Sequence, residues 1–264
     1  MFEIVSRICE LTRDVSSKPR WPLVVLALAG CIAVLIAYAW LFGGREGPEL
    51  EPPECQPGPT VPGIDVSYYQ DTIDWKQVRR AGVRFAFIRV SDGTTVPDSL
   101  FAQNWGAARR AGVLRGAYQY FRPDQSATAQ ADLVIAAVKR DRGELPPVID
   151  VETDGGRSPA QLAQRVEIWV TRVRSALGVE PIIYTGPEFW RDKAGGADLT
   201  TQPLWVAHYT ARCPTTPAPW TAWTFWQYSD RGTVPGITRP VDLDVFAGSL
   251  TDLEDFARRS RRKP

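Results

Sequence analysis

Apolar positions along this chain fall into three regimes. Residues 21–42, WPLVVLALAGCIAVLIAYAWLF, form one uninterrupted uncharged run. About 20 apolar residues suffice for a helix to cross a bilayer, so this run predicts a transmembrane helix. Residues 43–61, GGREGPELEPPECQPGPTV, are rich in Gly, Pro and Glu, have no hydrophobic period, and predict an extended spacer. From residue 62 onward, short apolar runs alternate with amphipathic stretches. Strands are expected near 63–67, 84–90, 115–121, 147–152 and 181–185. Helices are expected near 74–81, 98–111, 126–140 and 158–177, with a shorter one near 187–193. Two segments thirty residues apart, VRRAGVRFAFIRV (78–90) and ARRAGVLRGAYQY (108–120), repeat one design: a helix end, a glycine cap, then an apolar strand.

The alternation then stops. Strand-like runs recur at 204–208, 222–228 and 241–246, joined by Pro- and Gly-rich connections without helical period. Five strand–helix units plus three strands make eight strands, enough to close a barrel shorter than the ~250 residues typical of the full eightfold form. The expected fold class is therefore α/β: a shortened TIM-like barrel of five β/α units followed by three β-strands, with an N-terminal transmembrane helix. The expected divisions are a cytoplasmic tail (1–20), the membrane helix (21–42), the spacer (43–61), the barrel domain (62–250) and a basic C-terminal helix or tail (251–264).

Charge placement orients the chain. Arg7, Arg13, Lys18 and Arg20 precede the apolar run, and only Arg45 follows it as far as residue 62. This asymmetry predicts a cytoplasmic N-terminus and a barrel outside the cytoplasm, in the bacterial cell envelope. Ala37-Tyr38-Ala39 supports an alternative, a signal segment that is cleaved and releases the domain. A lipoprotein reading of Leu28-Ala29-Gly30-Cys31 fits less well, because eleven apolar residues follow Cys31. All three readings export the domain. Of the four cysteines, Cys55 and Cys213 are the two that fall in the exported part, where disulfides persist, and they are candidates to pair.

Composition then narrows the chemistry. Lys and Arg total 31 against 30 Asp and Glu, so no basic surplus points to nucleic acid. His208 is the single histidine, which excludes metal sites built on several histidines. No G-x-S-x-G motif accompanies it as a triad member, and a packing role is expected. No cofactor and no metal is expected, and a monomer is favoured. Chemistry, if present, runs on carboxylates. Asp150 and Glu152 lie two apart at the end of the apolar run LPPVIDVE, so their side chains share one side of the strand. A solvated strand end would explain that pair alone. Asp65, Asp242 and Asp244 also lie in or at the ends of predicted strands, and no Lys or Arg sits within the three strand cores that hold these carboxylates. Barrel enzymes work at the C-terminal ends of their strands. Converging carboxylates there suit glycoside hydrolysis, with one kept protonated as the acid and others facing positive charge on the sugar. The 10 Trp, 8 Tyr and 10 Phe are compatible with the walls of a sugar groove.

Six blocks, GIDVSYYQ (63–70), GAYQYF (116–121), PVIDVE (147–152), IIYTG (182–186), LWVAHY (204–209) and WQYS…VDLDVF (226–246), resemble glycoside hydrolase family 25, the lysozyme-like N-acetylmuramidases. None is specific alone; in this order they are. The resemblance implies cleavage of β-1,4 bonds in peptidoglycan glycan strands, with the membrane helix tethering the enzyme near them. It implies Glu152 as general acid/base, Asp150 as the carboxylate supporting the substrate's N-acetyl group, and Asp65 and Asp242 as further active-site carboxylates. Tyr118, Tyr120, Tyr184, Trp205 and Trp226 match aromatic positions around the groove, and Gln227 and Asp244 complete the substrate-binding set. Two positions depart from the family: Gln119 stands where His is common, and Asp244 where Asn is common.

Overall fold

The computed structural model describes residue 55 and residues 58–194, 199, 201–209 and 212–260. They belong to the second of two compact units, Gly47–Pro264. The expected cytoplasmic tail, the membrane helix at 21–42 and nearly all of the spacer lie outside the described residues. Among the described residues, no helix is long and apolar enough to cross a membrane.

Strands and helices alternate as the pattern requires: β1 Thr60–Val66, α1 Trp75–Arg80, β2 Phe85–Asp92, β3 Val96–Pro97, α2 Phe101–Ala111, β4 Leu114–Tyr120, α3 Ala127–Val138, β5 Val148–Asp150, α4 Pro159–Leu177 and β6 Ile182–Thr185. A short α5 (Pro187–Phe189) continues into a π-helical turn, Trp190–Ala194. Then come β7 Leu204–Ala207, β8 Phe225–Gly232, β9 Val241–Ala247 and α6 Leu250–Arg259. Local chemistry sets the boundaries. Ser158 caps α4 in a capping box with Gln161, ahead of Pro159 at the first turn. Gly112 ends α2 in the left-handed region, φ 75°, where other residues carry a steric cost.

The sheet runs β1-β9-β8-β7-β6-β5-β4-β2 and closes through a β1–β2 pairing, leaving β3 as a short hairpin arm on β2. Seven barrel strands are parallel, and β9 runs antiparallel between β8 and β1. Period two then sorts side chains into two layers. One set (Ile64, Ile88, Ala117, Ile149, Ile183, Val206, Trp226 and Val245) packs with the helices in the outer core. The other set fills the barrel. At its base, Phe225 meets the rings of Phe87 at 5.1 Å, Phe85 at 5.2 Å and Phe246 at 5.3 Å. Gly63 and Gly116 are required here, because a Cβ on either would overlap the ring of Phe85 or Phe87. The basic surface helix expected at the C-terminal end, α6, is present and lays one face on this floor. It buries Leu253 and Ala257, and Phe256 stands 5.7 Å from Phe225. The apolar face of α6 is thus covered by the barrel while its charged face stays exposed.

Cys55 and Cys213 form a disulfide across 158 positions of sequence, with Cα atoms 4.6 Å apart. It joins the approach to β1 to the connection between β7 and β8. Closing so long a loop contributes at most about 4–5 kcal/mol through unfolded-state entropy. Cys213→Ser is expected to lower the melting temperature while leaving turnover on soluble glycan fragments nearly unchanged, because neither cysteine lines the cleft described below. Equal melting curves for the two proteins under non-reducing conditions would remove the bridge from the stability account.

Candidate active site

The barrel is open at the C-terminal ends of its parallel strands. A cleft of about 240 Å³ lies there, lined by Asp65, Asp150, Glu152 and Asp242, with Tyr118, Tyr120, Tyr184, Trp205 and Gln227 around them. Each arrives by strand parity. Asp65 and Asp242 face each other across the β1–β9 ladder. Asp150 ends β5, paired to Tyr120 on one side and Tyr184 on the other. Glu152 follows two residues later, on the same side and beyond the strand. The two differ in setting: Asp150 is buried, and Glu152 is exposed at the cleft surface.

Crowding raises the proton affinity of the whole group. Burial, then the neighbouring Glu152, pushes Asp150 well above the usual carboxylate range, while Arg89 pulls the other way. Although water reaches Glu152, the cleft walls still surround its carboxyl and raise it, and the nearby Tyr184 hydroxyl offsets part of the rise. Asp242 is pushed up to about 6, chiefly by burial. Asp65 is raised by burial and then by Asp242 and Asp244. Like charges gathered in one cleft oppose each other's ionisation, which adds to the effect of burial.

Gln227 organises the centre. Its Oε1 accepts the hydroxyls of Tyr184 (2.7 Å) and Tyr209 (2.9 Å), which turns its amide nitrogen to Asp65 Oδ2 at 2.6 Å. Trp205 forms the floor, stacked on Phe87 at 4.3 Å and against Tyr184 at 4.5 Å. Its indole N–H donates to Asp244 Oδ1 at 2.9 Å.

Three expectations need correction. Trp226, expected beside the groove, points the opposite way into the outer core, where its Nε1 donates to the His208 carbonyl at 2.8 Å. Adjacent residues on a strand face opposite sides, and Gln227 takes the inner one. Asp244 is fully buried behind the cleft wall and does not line the cleft. The carboxylates do have a basic neighbour: Arg89 of β2 lines the same cleft, held by Asp98 Oδ2 at 3.2 Å and lying 4.7 Å over the Tyr68 ring. Gln119 faces outward, bonding Ser91, the Gly93 carbonyl and the Trp169 indole, so its departure from the family does not touch the cleft. His208 is structural, its Nδ1 accepting the Thr215 amide. Tyr69, Gln70 and Tyr209 also line the cleft, and all three sit inside blocks that carried the resemblance.

Known proteins share this architecture. The protein YegX of Escherichia coli (strain K12) is 42% identical over 210 residues, 78% of this chain and 76% of that one. Lysozyme M1 of Streptomyces globisporus is 36% identical over 212 residues, covering 76% of this chain and 72% of its own. The crystal structure of the bacterial lysozyme from Streptomyces coelicolor aligns with a TM-score of 0.71 at 34% identity, over 76% of this chain and 98% of that one. A model of the family described as glycosyl hydrolases family 25 matches residues 64–237, from β1 through β8. By fold, by the strand positions of its carboxylates and by sequence, the chain belongs to glycosyl hydrolase family 25.

Proposed function

We propose that this cleft is a peptidoglycan muramidase, hydrolysing β-1,4 bonds between N-acetylmuramic acid and N-acetylglucosamine. The observation that carries the reading is the asymmetric pair on one side of β5: Glu152 exposed in the cleft, Asp150 buried beside it. A proton-donating acid must reach the glycosidic oxygen, and a charge-stabilising carboxylate works best out of water. Glu152 protonates the leaving oxygen as the C1–O bond breaks. The acetamide oxygen of the same sugar attacks C1, and Asp150 faces the resulting cyclic oxazolinium. A water then adds to C1 as Glu152 recovers its proton from it, and the acetamide is released with retained configuration. The chemistry of the residues supports this route and also fits a chitinase-like glycosidase on N-acetylglucosamine polymers; a third reading is a non-catalytic wall-binding module. Digestion of purified peptidoglycan by the full chain, with mass analysis of the new ends, separates them. Reducing muramic acid ends are expected. Cleavage of chitin oligomers alone would favour the chitinase reading, and no cleavage the binding module.

We further infer that residues 21–42 anchor the enzyme with the barrel outside the membrane. The uncharged run, the basic residues before it and the disulfide support this. In intact cells, external protease is expected to degrade the barrel while an N-terminal tag stays protected. A mature protein beginning at Trp40 would show release by cleavage instead.

A further inference from the structure

Arg89 has more hydrogen-bonding capacity than the protein uses. It is the next inward position on β2 above Phe87, and of the described residues lining the cleft it is the only basic one. Its side chain is 9% exposed. Nε donates to Asp98 Oδ2 at 3.2 Å, and Cζ lies 4.7 Å over the Tyr68 ring and 5.2 Å over the Tyr69 ring. Asp98 is fixed in turn: Oδ2 also accepts the Tyr68 amide at 2.9 Å, and Oδ1 accepts the Leu100 amide at 3.0 Å. A guanidinium carries five N–H donors, and here one is engaged. Nη2 is buried with no acceptor among the described residues, and none of them bonds Nη1. A buried charged donor left unpaired is costly. This edge of the guanidinium therefore calls for an acceptor that the protein does not supply.

The rest of the cleft has the opposite chemistry. Asp65, Asp150, Glu152 and Asp242 offer acceptor oxygens. Several donors are already committed: the Tyr184 and Tyr209 hydroxyls bond Gln227 Oε1, Gln227 Nε2 bonds Asp65, and Gln70 Nε2 bonds the Pro240 carbonyl. The hydroxyls and amide N–H of any N-acetylhexosamine suit such walls. A group made only of acceptor oxygens does not, and Arg89 is the charged donor it can meet. N-acetylmuramic acid differs from N-acetylglucosamine by such a group, the lactyl ether on C3, beside the acetamide-bearing C2. Register places Arg89 opposite Tyr118 of β4, and Tyr120 of β4 opposite Asp150. Two strand spacings, about 10 Å, thus separate the β2 and β5 backbones. That span matches the width of one sugar with an acetamide directed to one wall and a lactyl group to the other.

We propose that Arg89 is the specificity-determining residue for the muramoyl sugar: its unpaired guanidinium edge takes a lactyl carbonyl oxygen of the sugar whose acetamide faces Asp150. The proposal deepens the muramidase reading and rests on it. A chitin chain has no lactyl oxygen to offer and leaves the buried donor unpaired, which is the kind of omission that a polar site rejects. In a strand stripped of peptides the lactyl carbonyl belongs to a carboxylate, and in a peptide-bearing strand to an amide. Both present an acceptor to the same fork.

The test measures ligand binding by calorimetry to the full chain carrying Glu152→Gln, which suppresses turnover, either with Arg89 or with Arg89→Met. The ligands are tetrasaccharides: chitotetraose, the alternating muramoyl glycan with free lactyl carboxylates, and the same glycan bearing its peptides. With Arg89 in place, muramoyl glycan is expected to bind about tenfold tighter than chitotetraose, or more. Arg89→Met is expected to remove that preference while chitotetraose affinity holds within about twofold. A preference confined to free carboxylates and fading with salt assigns the contact to stripped strands; equal binding of the two muramoyl glycans assigns it to the carbonyl in either form. With Glu152 restored, Arg89→Met should raise KM on soluble muramoyl fragments more than it lowers kcat. No preference in the parent, a preference that survives Arg89→Met, or an equal loss for all three ligands would overturn the proposal. The last is what a mere prop for the Tyr68 ring would give. If Arg89→Met does not fold, Arg89→Lys keeps the charge without the fork and is expected to lose about threefold of the preference; an undiminished preference there would also overturn it. Binding preference intact but no glycan cleavage by the wild type would overturn the muramidase reading and leave the Arg89 contact standing.

Discussion

Glu152→Gln is expected to lower turnover on peptidoglycan by ~10²–10⁴-fold, the usual contribution of a positioned acid. The amide matches the carboxyl in shape and cannot protonate the leaving oxygen. Glu152 is exposed and lies beyond the end of β5, so the barrel loses no packing and the melting temperature should hold. Steady-state rates on soluble glycan fragments, alongside thermal melts, check both halves. Near-parental activity would remove Glu152 from the acid role. A collapse in melting temperature would make the lost rate a folding effect.

Asp150→Asn is expected to cost roughly 10²–10³-fold, the scale of removing one electrostatic partner from a transition state. Asp150 is 5% exposed, so no water can substitute for the missing charge. The proposed route adds a diagnostic. If the substrate's acetamide is the nucleophile, azide has no vacated protein nucleophile to replace, and no glycosyl azide of inverted configuration should form. Detection of that product would show that a side chain attacks C1. A fully active variant would show that the buried charge plays no part.

The barrel's elements were legible because two periods, 3.6 and 2, alternate cleanly from β1 to β6, and because Ser158 with Pro159 and Gly112 mark helix ends in sequence. The acid pair was legible for the same reason: period two needs no knowledge of the partner strand. Trp226 shows the limit. Which of two adjacent residues faces inward depends on pairing, here Gln227 with Asp244, and the pairing joins distant segments. Arg89 was hidden differently. It sits in an apolar run that reads as wholly buried, and its partner Asp98 follows β3, a strand of two residues with no sequence signature. The bonds among Asp65, Gln227 and Tyr184 join three strands and follow from closure of the barrel, which no local pattern encodes.

The aromatic floor has a consequence for how a polymer can meet this enzyme. Phe85, Phe87 and Phe225 fill the barrel, and α6 covers it below, so there is no passage through the molecule. A glycan strand therefore cannot pass along the barrel axis and meets the enzyme only at the mouth. Enzymes that thread need loose ends, whereas the strands of a cross-linked wall are fastened along their length. A blind-ended mouth makes no such demand, and any bond that can be laid across it is within range, however far it lies from the end of its strand.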